Sequence, residues 1–146
     1  MDGGTRKALD YPLSDGDIRA ILGDDISILT YPELEEAQSI DQCFDRRGRC
    51  ILLFPTVSPT SGHWCCLLRK KDRVEFFDPY GDPPESQLDD LPPSYLERLD
   101  QATPYLANLL KTSKVPVYFN THAFQKLRGD VATCGRHCVV RCLYAP

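Results

Sequence analysis

The chain has 146 residues, 42% of them hydrophobic and 26% charged, with a formal net charge of −4. That length supports one core and leaves little room for a second, so a single domain over 1–146 is expected. The acidic balance gives no overall attraction to nucleic acid, and no apolar run approaches the ~20 residues of a membrane span.

Met1-Asp2-Gly3-Gly4 lacks the pattern of a signal peptide, so the chain is read as not secreted. Its seven cysteines, an odd count, are then read as free thiols in a reducing compartment, not as a disulfide framework.

The first helix is announced by Ser14, a good N-cap, with Asp17 in the capping-box position three residues on. Ile18, Ile21 and Leu22 line one face, and Gly23 stops the helix. A second short helix is expected to start near Pro32, where Glu33, Glu35 and Glu36 favour its positive end. Asp45-Arg46-Arg47-Gly48 reads as a turn, and Arg49 to Phe54 as a short buried strand.

His63 to Leu68 and Val74 to Asp78, linked by the charged stretch Arg69 to Arg73, read as an antiparallel hairpin. His63 enters the first strand and Asp78 leaves the second, so the hairpin places an imidazole and a carboxylate at the same end of the sheet. Pro79 to Pro84 then breaks the sheet. Ser94 to Leu110 reads as one or two helices interrupted at Pro104, and Val115 to Asn120 as a short strand at an edge because of Pro116. The order points to an α+β domain with a central, mostly antiparallel sheet flanked by helices.

The stretch Ala123 to Leu143 carries a loop with Gln125 and Gly129, then Thr133-Cys134-Gly135 at the start of an apolar helix. A cysteine in the first turn of a helix faces unpaired N–H groups and the positive end of the macrodipole, which favour the nucleophilic thiolate. A small apolar residue burying itself at a helix start has the same look. Cys138 and Cys142 follow at a spacing of four and read as core residues on the same face.

A nucleophilic cysteine needs a base, a group that orients the base, and donors aimed at the oxyanion. Cys134, His63 and Asp78 fit the roles of nucleophile, base and orienting group; Gln125 and the backbone N–H of Cys134 fit that of oxyanion donor, with Asn120 a second candidate donor. Each has a plainer reading. His63 is also what a satisfied structural histidine looks like, and Asp78 before Pro79 is also a turn initiator. A zinc site from Cys134, His137 and Cys138 with Cys65 or Cys66 is disfavoured, because no C-x-x-C pair exists and His137 lies on another helix face from Cys134.

Gly62-His63-Trp64, Phe76-Phe77-Asp78-Pro79-Tyr80-Gly81, Gln125 and Thr133-Cys134-Gly135, in that order, resemble the adenain-type cysteine proteases. That group includes the adenovirus maturation protease and proteases of virophages and Polinton-like elements, with the SUMO-specific proteases as more distant kin. The resemblance covers about Gly62 to Leu143, more than half of the chain.

It implies a papain-like fold with the catalytic cysteine at the N-terminus of a buried helix. His63 would be general base, Asp78 the third triad member, Cys134 the nucleophile and Gln125 the oxyanion side chain. Trp64 would pack beside the histidine, and Gly135 would let substrate backbone approach the sulfur. The implied activity is a thiol endopeptidase cutting after small residues such as glycine, in maturation of viral capsid or core proteins, in the virion and infected cell. Removal of a ubiquitin-like modifier, or a catalytically idle binding relative, are the alternatives. The adenovirus enzyme is assisted by a short peptide and by DNA. Here no cofactor is required by the sequence, an activating peptide is what the resemblance allows, and the acidic balance speaks against DNA. A monomer is expected.

Overall fold

A computed structural model describes residues 14–58, 61–89, 91–121, 123 and 134–144. The described chain is α+β, a five-stranded mixed sheet with helices on both faces. Helix α1 (Asp15–Leu22) begins as its sequence dictates: Ser14 Oγ accepts from Asp17 N at 3.1 Å, and Asp17 Oδ2 accepts from Ser14 N at 3.0 Å. Gly23 closes it at φ 104°, a conformation that favours glycine. Ile18 and Leu22 are buried, but Ile21 is exposed, so the apolar face is narrower than its spacing suggests.

The segment at Pro32 folds as a 3-10 turn, Tyr31–Glu36, not as an α-helix. The Glu33 carboxylate accepts from both Thr30 N and Thr30 Oγ, which fastens its first turn. Strands β2 (Arg49–Ser58), β3 (Ser61–Arg69) and β4 (Val74–Phe77) form an antiparallel meander. Strand β2 runs past Phe54 through Pro55, where the pairing shifts register, the irregularity expected where proline removes a ladder donor.

Outside the meander lie β1 (Ser27–Thr30), pairing with β2, and β5 (Val117–Phe119), pairing with β4. Both outer pairings are parallel, so the expectation of a mostly antiparallel sheet is corrected to an even mixture. The connections explain it. A parallel neighbour needs a crossover of a dozen or more residues. Between β1 and β2 the chain makes two 3-10 turns, and between β4 and β5 it makes α2 (Pro93–Arg98) and α3 (Tyr105–Leu110). Pro104 is the N-cap of α3, which is why the helical run breaks there.

Strand residues alternate between two cores. Leu52, Phe54, Cys65, Leu67 and Phe76 meet Tyr31 and Leu106 on one face. Ile51, Leu53, Trp64, Cys66 and Phe77 meet α1 and α4 (Cys134–Leu143) on the other. Cys134, Cys138 and Cys142 are all buried, as their spacing of four requires. Among the described residues no helix is long and apolar enough to cross a membrane.

Gly62 lies in β3 directly against the backbone of β2, paired with Pro55. A Cβ there would stand 2.0 Å from Phe54 O and 2.5 Å from Thr56 N, both backbone atoms that cannot swing aside. Gly62→Ala is therefore expected to cost about 1–3 kcal/mol, as forced overpacking does. Urea unfolding of the two proteins side by side checks it, and an unchanged midpoint would mean the strands can part without cost.

Candidate active site

The hairpin register builds the first half of the site. Cys66 pairs with Phe77, so one step further along Cys65 stands across from Asp78. His63 is two residues from Cys65, on the same face, which makes it a diagonal neighbour of Asp78 within side-chain reach. The side chains meet: His63 Nε2 lies 2.7 Å from Asp78 Oδ1. Asp78 is fully buried and His63 is 7% exposed, so the pair is shielded from water.

Asp78 is held from every side. Oδ1 also accepts from Tyr80 N at 2.9 Å, and Oδ2 accepts from Gln87 Nε2 at 2.8 Å. The Asn120 amide spans the Asp78 backbone, its Oδ1 accepting from Asp78 N at 2.9 Å and its Nδ2 donating to Asp78 O at 2.7 Å. The Tyr80 ring stacks on His63 with centroids 4.9 Å apart.

Burial works against charge on both partners, and their interaction outweighs it. For Asp78, burial raises the pKa, but the hydrogen bond and charge of His63, then Gln87 and Tyr80, leave it below its ordinary value. For His63, burial lowers the pKa, but the hydrogen bond to Asp78, and then the nearby Cys134 sulfur, lift it to about 9.

The second half of the site comes from the other face of the sheet. Cys134 opens α4 and is fully buried, with its Sγ accepting from Trp64 N at 3.3 Å. One turn on, Cys138 Sγ donates to Trp64 O at 3.4 Å, so the helix is tied to β3 through both polar atoms of one peptide residue. Trp64 sends its indole into the core shared with α1 and α4, and Gly135 is buried in the first turn.

With Nε2 engaged by Asp78, Nδ1 is the ring nitrogen left for Cys134. It is buried and completes no hydrogen bond, yet the sulfur is close enough to favour the protonated ring. Contacts of this kind are often long in sites without substrate and tighten when it binds.

Gln125 and Thr133 lie outside the described residues. Asn120, the second candidate donor, instead spends its amide on the Asp78 backbone, which positions the carboxylate. Gln87 and Tyr80 went unassigned in the sequence. The turn after Asp78 was the available signal for Tyr80, since an aspartate accepts from the backbone two residues on; nothing local marks Gln87.

Among the described residues the trio that converges as metal ligands do is His63, Cys65 and Asp78, with ligand atoms within 4.8 Å of one another. Cys134, His137 and Cys138 do not converge in this way. The trio suits a hydrogen-bond network better than a metal, because Nε2 and Oδ1 already occupy each other. Burial, then the charge of Asp78, also pushes the Cys65 thiol well up, away from the thiolate a metal would take.

No family model matches the chain, and no solved structure matches it. It is 40% identical over 132 residues to a protein of the Sputnik virophage, uncharacterized protein V9, across 90% of this chain and 75% of that protein. The chain belongs to the V9 family. The family is thereby associated with viruses, and the match takes in most of the residues described above.

The paired shifts fix a pH dependence. A histidine raised from 6.5 to about 9 stabilises the fold fully below 6.5 and loses that contribution as pH climbs to about 9. A carboxyl lowered from 3.8 contributes above that value and loses its contribution as pH falls through the folded value. The stability gap between the native chain and Asp78→Asn should therefore be widest between about 4 and 6.5 and narrow toward 9. In Asp78→Asn the His63 ring should titrate well below 9, since the largest contact that raises it is gone. NMR titration of the ring reads this directly; a ring still titrating near 9 would remove Asp78 as the cause.

Proposed function

We propose that this V9-family chain is a cysteine endopeptidase of the adenain type, on a papain-like arrangement of helix and sheet. What supports the reading above all is the buried 2.7 Å contact of His63 with Asp78, together with the action of Cys134 on the same ring. A fully buried carboxylate that holds one imidazole nitrogen, while a cysteine at a helix start addresses the other, serves covalent catalysis.

The chemistry runs as follows. His63 Nδ1 takes the Cys134 proton, and Sγ attacks the carbonyl carbon of the scissile peptide. Asp78 keeps the Nε2 proton in place and stabilises the imidazolium without taking its proton. The oxyanion is met by backbone N–H groups in the first turn of α4, with Gln125 as the side-chain donor in this reading. His63 then gives its proton to the leaving amine as the C–N bond breaks. Water, deprotonated by His63, attacks the thioester, releasing the acid and restoring the thiol. The substrates in this reading are capsid or core precursors, cut after small residues such as glycine, in the virion and infected cell. The V9 relative's viral source supports that setting.

Cys134→Ala is expected to abolish cleavage, by on the order of 10⁴-fold or more, with the fold unchanged. His63→Ala should follow it closely. Capsid precursors of the same virus and Gly-Gly-X peptides are the first substrates to try. Trace iodoacetamide across a pH series, read by peptide mass spectrometry, tests the pair without a substrate. Cys134 should be the fastest of the seven cysteines, and His63→Ala should remove the advantage. A Cys134 that lags behind ordinary exposed thiols would sink the proposal.

A further inference from the structure

Gln87 stands in the short 3-10 turn Ser86–Leu88, within a proline-rich connection where a polar side chain would ordinarily be solvated. It is turned inward instead. Its Nε2 donates to Asp78 Oδ2 at 2.8 Å, Pro83 O at 3.0 Å and Asp82 O at 3.3 Å. Its Oε1 is buried without a hydrogen-bond partner. The amide orientation is settled by chemistry, because the reverse would set an acceptor against three acceptors. A buried acceptor left without a partner is destabilising, so the contact made by the other end has to outweigh that.

We infer that Gln87 is a positioning residue for the His63–Asp78 pair, acting through Asp78 Oδ2. This rests on the reading of Asp78 as the partner of the base. Oδ1 alone, shared by His63 and Tyr80 N, leaves the carboxylate free to turn about its last torsion. A donor on Oδ2 fixes the plane and keeps Oδ1 aimed at Nε2. It also satisfies the oxygen that would otherwise be buried bare, and so keeps the carboxylate ionised. A glutamine serves here where a charged donor would not. A lysine or arginine would draw the carboxylate's charge away from the imidazole, whereas a neutral amide holds it without competing.

The test is a double-mutant cycle on the full chain, read as the second-order rate of iodoacetamide alkylation at Cys134. Gln87→Leu should slow the reaction about tenfold in the native background and less than about twofold in Asp78→Ala. Equal slowing in both backgrounds overturns the inference, since Gln87 would then act on the fold at large.

Gln87→Glu provides a second test without loss of volume. At about pH 8 its carboxylate would oppose Asp78, whereas toward about pH 5 the protonated acid can donate to Oδ2. The rate relative to the native chain should recover as pH falls, and a ratio flat with pH counts against the role. The outcomes separate the two proposals. Non-additivity with no peptide cleavage would leave Gln87 in place and remove the endopeptidase. An Asp78→Ala chain alkylated at the native rate would remove both.

Discussion

A carboxylate with no exposure to water governs this structure. An ionised Asp78 at the end of β4 would be prohibitively costly if left bare, because burial strips the charge of its solvation. The fold answers with an amide just beyond β5 that holds the Asp78 backbone, and with three polar groups on the carboxylate itself: an imidazole from β3, a backbone N–H from the turn at Tyr80 and an amide from the 3-10 turn at Gln87. Removing any of them leaves the others compensating an uncovered charge. The region from 63 to 120 is thereby coupled through a single residue.

The sheet makes that convergence possible. Its antiparallel meander sets His63 and Asp78 diagonally across one face by register alone. The parallel strand β5, reached by way of α2 and α3, returns Asn120 to the same end as Asp78. On the opposite face α4 brings Cys134 to the edge of the same strand that bears the histidine. Consecutive residues of β3 therefore serve both halves of the site, His63 by its side chain and Trp64 by its backbone. Close packing on both faces resists displacement of that strand.

Much of this was legible in the sequence where the signal is local. Ser14 with Asp17, Pro104 between two helices, the spacing of Cys134, Cys138 and Cys142, and the short charged link of the hairpin each encode their structure within a few residues. The meeting of His63 with Asp78 followed from hairpin arithmetic. What escaped reading depends on distant partners. Strand β1 is four residues without alternation, and its identity comes from pairing with β2. The parallel edges have no signature beyond the length of their crossovers. Ile21 matches its helical face in spacing yet is about half exposed among the described residues. Gln87 looks like any glutamine in a polar loop until the fold carries Asp78 to it, and Gln125 lies outside the described residues.

The order of these groups along the chain gives the site a direction in time. His63 and Asp78 are neighbours in one hairpin, so their meeting closes a short loop and belongs to the local contacts that form readily. Cys134 lies far downstream, and docking α4 onto β3 is a long-range event. During synthesis the imidazole and the carboxylate are therefore both present in the chain before Cys134 is added. The sulfur reaches the face of β3 only when α4 seats, so the local pairing and the long-range docking must both be complete before the three side chains share one place.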